Sequence, residues 1–277
     1  MSGPLARILE ELAAAPVPPV DESRAAVGEL LVGLGSGRIR AAERQDGRWQ
    51  ANAWVKRGIL LAFRVGALAE FPPAGALRFF DKDTLPLSPF TRSSGVRIVP
   101  GGTSVRAGAY VAPGVTIMPP AFVNVGAYVD GGSLVDSHVL VGSCAQVGRR
   151  VHVSAGAQIG GVLEPAGELP VILEDEVFVG GDAGIYEGAV VRAGAVLAAG
   201  VVLTRATPVY DVVRGEVYRA ADGRPLEIPE RAVVVPGSRA IRDGKGAEWG
   251  LSIQTPVIVK YRDARTDAAA ALEAALR

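Results

Sequence analysis

Counting in sixes from Val99, the chain places a β-branched aliphatic residue at Val105, Val111, Ile117, Val123, Val129, Val135, Val141, Val147, Val153 and Ile159 without a break. After a slip in the segment EPAGELPV the count resumes at Leu173, Val179, Ile185, Val191, Leu197 and Leu203. If aliphatics filled roughly a third of positions at random, seventeen hits in register would arise on the order of once in 10⁸ trials, so the period is a structural constraint. The fifth position of each hexad is small or modest, as at Ala109, Ala121, Ala127, Ser133, Ala145 and Ala157. Six matches neither the 3.6 residues of a helical turn nor the two-residue alternation of a long strand. It suits a short strand and a sharp turn, repeated, with the aliphatic side chains of successive coils stacked inward about 4.8 Å apart.

Composition agrees with that architecture. The 277 residues include 35 Gly and 19 Pro but only 6% aromatics, which suits a fold made of corners around a narrow core. Lys plus Arg and Asp plus Glu both number 29, so there is no cationic excess to bind nucleic acid or an anionic membrane surface. No charged residue falls between Arg106 and Asp130, a length that can span a bilayer. Pro113, Pro119, Pro120, Gly108, Gly114 and Gly126 would break a helix there repeatedly, so this is no membrane span. The single cysteine, Cys144, excludes an intramolecular disulfide, and MSGPLARILEEL lacks the basic-then-apolar layout of a signal peptide. A reducing, cytoplasmic setting is expected.

The flanks follow other rules. Leu5, Ile8, Leu9 and Leu12, then Val27, Leu30, Leu31 and Leu34, recur at helical spacing, with Asp21 as a cap and Gly35 as a stop. RIRAAERQDGRWQAN predicts a hairpin around Asp46-Gly47, and AWVKRGILLAFRV a further helix or buried element. Residues 1–90 are expected to form a small α/β domain, 91–208 the repeat, and 209–277 a short C-terminal segment. In the last, VYDVVRGEVYRAADGRPLEI predicts a hairpin, VIVK a strand and DARTDAAAALEAALR a terminal helix. Such pieces can cover the open end coils.

A prism of this kind has no internal cavity, so chemistry must come from residues outside the stacking positions. A three-histidine metal site is excluded by there being two histidines, His138 and His152, and a thiolate zinc site by the lone cysteine. No metal is expected. The two histidines, fourteen residues apart, cannot share a corner of successive coils and are expected as outward turn residues, with Cys144 packed beside a small stacking position. AQIGGVLEP lacks the strand-to-helix context of a phosphate loop. Asp130 and Asp136 each follow a stacking aliphatic, where a turn residue and a functional acid are equally compatible with the spacing. Glu187 in GIYEGAVV is by default a solvated surface charge, and Arg97 before the first hexad is equally compatible with a surface cation and a functional one.

The run MPPAFVNVGAYVDGGSLVDSHVLVGSCAQVGRRVHVSAGAQIGGVLEP resembles the tetrahydrodipicolinate N-succinyltransferase family, notably at NVGAYVD, VDSH, VGSCAQVG and GGVLEP. The likeness extends to DGRW, RFFDK, VRIVP, EDEVFVG, YEGAVV and VIVK. It implies a mainly β fold, the left-handed parallel β-helix of hexapeptide repeats, with three hexads to a triangular coil and between five and six coils, beside the small N-terminal domain and the C-terminal hairpin and helix. It implies a homotrimer that passes the succinyl group of succinyl-CoA to the amino group of 2-amino-6-oxopimelate in lysine and diaminopimelate biosynthesis, with no permanently bound cofactor. By the same likeness Arg97 and Asp136 bind substrate, Asp136 and Glu187 serve catalysis, and CoA runs along the groove between prisms. There it would meet Gly200, Thr204, Thr207 and Gly237, and its phosphates would meet Arg242, Lys245 and Lys260. The alternatives are an acetyl-CoA-dependent N-acetyltransferase and a noncatalytic trimeric assembly module.

Overall fold

The computed structural model describes residues 3–74, 77–221 and 223–263. Each hexad supplies a two-residue strand and a four-residue corner, and each strand pairs in parallel with the one 18 residues on: Val105 with Val123, Val111 with Val129, Ile117 with Val135. Three strands therefore close one coil, and the coils stack into a three-faced prism, the architecture expected of a hexapeptide-repeat left-handed β-helix. The first face runs through Arg97–Ile98, Thr116–Ile117, Leu134–Val135, His152–Val153, Phe178–Val179 and Val196–Leu197. The second runs from Ser104–Val105 to Val202–Leu203, and the third from Tyr110–Val111 to Glu227–Ile228. The second residue of each strand and the small fifth-position residues point inward together. Ile117, Val135, Ala145, Val153, Ile159 and Ile185 are fully buried in one continuous core.

The structure moves the ends of the repeat. At the start, Ile98 and not Val99 pairs with Ile117. One extra residue in the glycine-rich corner that holds Gly101 and Gly102 shifts the count. The slip after Ile159 is a loop, and Leu173 rejoins the stack opposite Val147. At the other end the prism does not stop at 208. The chain leaves after Leu203 through the expected hairpin, Val209–Asp211 with Glu216–Tyr218, and then returns. Val191 pairs with Ile228 and Leu197 with Val234, which adds strands that the broken period conceals. VIVK forms part of Ser252–Tyr261, which pairs antiparallel with Ala232–Ala240 as a long arm, with the short helix Gly244–Glu248 at its tip. Buried Asp211 ties hairpin to arm by accepting the Tyr261 hydroxyl at 2.6 Å. The expected terminal helix lies outside the described residues, apart from its first residue, Asp263.

Two N-terminal helices form as their spacing predicts, α1 (Pro4–Ala14) and α2 (Val20–Gly35), and of the two alternatives for AWVKRGILLAFRV the structure takes the helix, α3 (Ala53–Val65). Asp21 sits inside the first turn of α2 and does not cap it, since Pro19 holds the cap position. The left-handed residue after α2 is Gly37 at φ +72°. Leu9, Leu12, Leu30, Leu34 and Ile59 pack together and onto Val125 and Cys144 of the prism, at the edge between its second and third faces. Asp46 and Gly47 both take positive φ, the two-residue turn that a twisted hairpin favours, and join Ala42–Gln45 to Arg48–Ala51. This hairpin lies on the third face, with Ala42 and Trp49 against Ile172 and Val190. A second hairpin, Leu68–Ala74 with Leu77–Lys82, has no counterpart in the period reading.

Candidate active site

Side chains at the corners of the prism line up as columns along its edges, because the main-chain N–H at one corner tip bonds to the carbonyl of the corner before it. Gly156 bonds to Ser137 in this way, Asp182 to Ala155 and Gly200 to Gly181. The edge between the first and second faces therefore carries Asp136, His138 and Gly200. The next edge carries Cys144, Glu187, Thr204 and Thr207.

The two candidate turn aspartates are separated by their partners. In both, Oδ1 accepts the N–H of the next residue at 2.7 Å, Gly131 for Asp130 and Ser137 for Asp136. The remaining oxygen of Asp130 faces Arg149 Nε at 3.4 Å. Asp136 is half-buried and pairs with no cation among the described residues, so one carboxylate oxygen stays available. Arg97 is exposed on the first face, two coils before Asp136, and likewise forms no ion pair among the described residues.

Glu187 stands at the tip of a left-handed turn, φ +52°, with its carboxylate exposed. Its Oε2 accepts the N–H of Arg205, one coil on, at 2.8 Å. It lines a groove of about 630 Å³ together with Trp49, Glu168, Arg205 and Arg224, a size within the usual range for small-molecule sites. The Arg205 guanidinium pairs with Glu168. Arg205, Glu168, Trp49 and Arg224 were not singled out by the sequence. An 18-residue stride from Glu187 reaches Arg205, but no sequence rule brings Trp49 there from the N-terminal hairpin.

Within one chain Asp136 and Glu187 are not brought together. They occupy different edges and lie two coils apart, about 10 Å along the axis at the ~4.8 Å strand spacing. The candidate CoA contacts also divide. Gly200, φ +73°, shares the edge of Asp136, and its carbonyl accepts from Gln254 of the arm at 3.4 Å. Gly237 sits in the arm opposite Thr255, where a Cβ would come within 2.6 Å of Val257. Thr204 and Thr207 bond to one another through their hydroxyls at 2.7 Å, on the edge of Glu187. Arg242 and Lys245 lie near the tip of the arm, where Lys245 pairs with Glu248. Lys260 is at its base opposite Val233, 3.4 Å from Asp263. The eight residue steps from Ser252 to Lys260 span on the order of 25 Å, so one chain does not gather these three cations.

His138 is an exposed turn residue as expected, at φ +62°. His152 is not: it is 6% exposed, on the first face, packed against Phe178 with the rings tilted and their centroids 4.8 Å apart. Cys144 is fully buried, packed where a Cβ on Gly126 would lie 2.9 Å from its sulfur. Burial pushes its thiol up to about 12, against the opposing pull of the buried Lys56 ammonium. That ammonium donates to the carbonyl of Glu168. The thiol is expected to resist iodoacetamide in the native protein at pH 8 and to react once denaturant is added, read by mass spectrometry. Native labelling at the rate of a free thiol would contradict that packing. Among the described residues no three His, Cys, Asp or Glu side chains converge as a metal site. No described helix is long and apolar enough to cross a membrane.

Comparison with known proteins bears on both parts of this geometry. Residues 13–65 match the family model described as tetrahydrodipicolinate N-succinyltransferase N-terminal, and residues 170–205, which hold Glu187 and Arg205, match the hexapeptide repeat of succinyl-transferase. The 2,3,4,5-tetrahydropyridine-2,6-dicarboxylate N-succinyltransferase of Azoarcus sp. is 43% identical over 91 residues, which are 31% of this chain and 33% of that protein. The enzyme of the same name from Actinobacillus pleuropneumoniae is 39% identical over 93 residues, 32% of this chain and 33% of its own. The matched stretch thus spans about a third of the length of these curated relatives. A solved structure from Campylobacter jejuni, named as a 2,3,4,5-tetrahydropyridine-2-carboxylate N-succinyltransferase, aligns over 89% of this chain and 64% of its own. Its TM-score is 0.43 and its identity 14%.

Proposed function

We propose that this protein transfers the succinyl group of succinyl-CoA to the amino group of ring-opened tetrahydrodipicolinate, 2-amino-6-oxopimelate. The products are N-succinyl-2-amino-6-oxopimelate and CoA, a step of lysine and diaminopimelate biosynthesis in the cytoplasm. The observation that carries this reading is Glu187, held on a left-handed corner beside a groove of about 630 Å³, in a segment that matches the succinyltransferase repeat.

The chemistry is aminolysis of a thioester. The neutral amine forms a bond to the acyl carbon, the C–S bond breaks, a carboxylate takes the amine proton and the thiolate leaves to be protonated. Asp136, with one oxygen engaged in its turn and one available, orients the amine or takes its proton. Glu187 is the second acid, acting as base. Arg97, an exposed cation with no ion pair among the described residues, meets a carboxylate of the acceptor. Because the two acids occupy different edges of one prism, the site is completed between subunits of a homotrimer. In that groove CoA meets Gly200 and Gly237 on one side and Thr204 and Thr207 on the other. Arg242, Lys245 and Lys260, spread along the arm, meet its phosphates from more than one subunit.

Thiol release is measured from succinyl-CoA and from acetyl-CoA, each with and without tetrahydrodipicolinate. The expected result is acceptor-dependent release that is faster with succinyl-CoA. Equal or faster turnover with acetyl-CoA would overturn the succinyl assignment, and release that never depends on the acceptor would leave the noncatalytic assembly module.

A further inference from the structure

Two cations line the groove beside Glu187, and they differ in how they are balanced. Arg205 is engaged, with its guanidinium on Glu168 and its main-chain N–H on Glu187. Arg224 is exposed and its side chain forms no ion pair or hydrogen bond among the described residues. Glu168 balances Arg205, which among the described lining residues leaves one carboxylate, Glu187, and one guanidinium, Arg224, without an ion pair in a single small-molecule groove. A carboxylate base and an unpaired guanidinium in one groove suit a substrate that is reactive at one end and anionic at the other. Guanidinium is the side chain that binds a carboxylate with two parallel hydrogen bonds.

We infer that this groove selects the acyl donor by its terminal carboxylate, with Arg224 as the cation that reads it. The inference rests on the proposed transfer in that it takes Glu187 to face the acyl carbon. A succinyl group carries its carboxylate two methylenes beyond the thioester, into the same groove, while an acetyl group offers Arg224 nothing. A dicarboxylate acceptor carries the same chemistry, so the test must separate donor from acceptor.

Equilibrium binding of succinyl-CoA and of acetyl-CoA is measured by calorimetry on the wild-type chain and on Arg224→Gln, a surface change that circular dichroism will show to be folded. The wild-type protein is expected to prefer succinyl-CoA by about 10- to 100-fold, the range of a charge-assisted contact. In Arg224→Gln that preference is expected to fall to within a few-fold, with acetyl-CoA affinity unchanged. Equal binding of the two donors by the wild type, or equal weakening of both in the variant, overturns the inference. So does a variant that keeps the donor preference and instead raises KM for the acceptor. Faster turnover with succinyl-CoA that persists unchanged in Arg224→Gln would defeat this inference and leave the succinyl transfer standing. A donor preference that depends on Arg224 without any turnover would do the reverse.

Discussion

Replacing Glu187 with Gly is expected to cut acceptor-dependent thiol release from succinyl-CoA by at least ~10²-fold, the lower end for a positioned acid–base group. Glycine is the informative replacement because the corner sits at φ +52°, which alanine would adopt under strain. Glu187→Gln sharpens the test. Its amide oxygen can still accept the Arg205 N–H that Glu187 now holds at 2.8 Å, so the corner survives while the base is lost. Asp136→Asn works in the same way, preserving the bond from Ser137, and is expected to lose at least as much. Asp130→Asn is the control, since it alters an equivalent turn whose acid already faces Arg149, and its rate is expected within a few-fold of wild type. Near-wild-type turnover in either the Glu187 or the Asp136 variant removes that residue from the mechanism. The division of the two acids between edges adds a second readout. Refolding an equal mixture of the inactive Asp136 and Glu187 variants should restore about a quarter of wild-type activity, the fraction of neighbouring pairs in which both acids are intact. No recovery would mean that the acids do not meet across subunits.

Ile159→Ala is expected to destabilise the fold by about 2–5 kcal/mol, the cost of the lost burial and of a cavity that its neighbours cannot fill. Ile159 is fully buried and stacks between Val141 of the coil before and Ile185 of the coil after. Both are held by main-chain pairing at a fixed spacing, so the coils cannot move together to close the gap. Val213→Ala, at a residue that is 54% exposed and lies outside the period, should stay within about 0.5 kcal/mol. Urea midpoints at one protein concentration, with slopes compared, separate the two, since oligomerisation would make the midpoint depend on concentration. Each coil touches only its neighbours, so loss of hydrogen-exchange protection in Ile159→Ala should spread outward from that coil. A loss below about 1 kcal/mol would show that the stack does not bear on stability as the period implies.

The period, the first two N-terminal helices and the turn at Asp46-Gly47 were legible in the sequence because each rests on local rules. Inward side chains every six residues, apolar stripes every three to four and an Asp-Gly turn act on residues that are neighbours in the chain. Asp136 and Glu187 were legible as candidates only through family likeness, since spacing alone could not rank Asp136 above Asp130. What separated those two was the Arg149 side chain, which lies one coil away. The same limit explains the shift from Val99 to Ile98, the strands beyond 208 and the burial of His152 against Phe178. Each depends on which coil a residue finally stacks upon, and an inserted loop changes that partner without changing the local pattern. The sequence by itself determined a prism and the types of side chain on its corners. Only the tertiary structure decided which corners share an edge and which face the N-terminal hairpin, and so gathered Trp49, Glu187, Arg205 and Arg224 around one groove. Those contacts join residues far apart in the chain, and their energies depend on the stacking of whole coils.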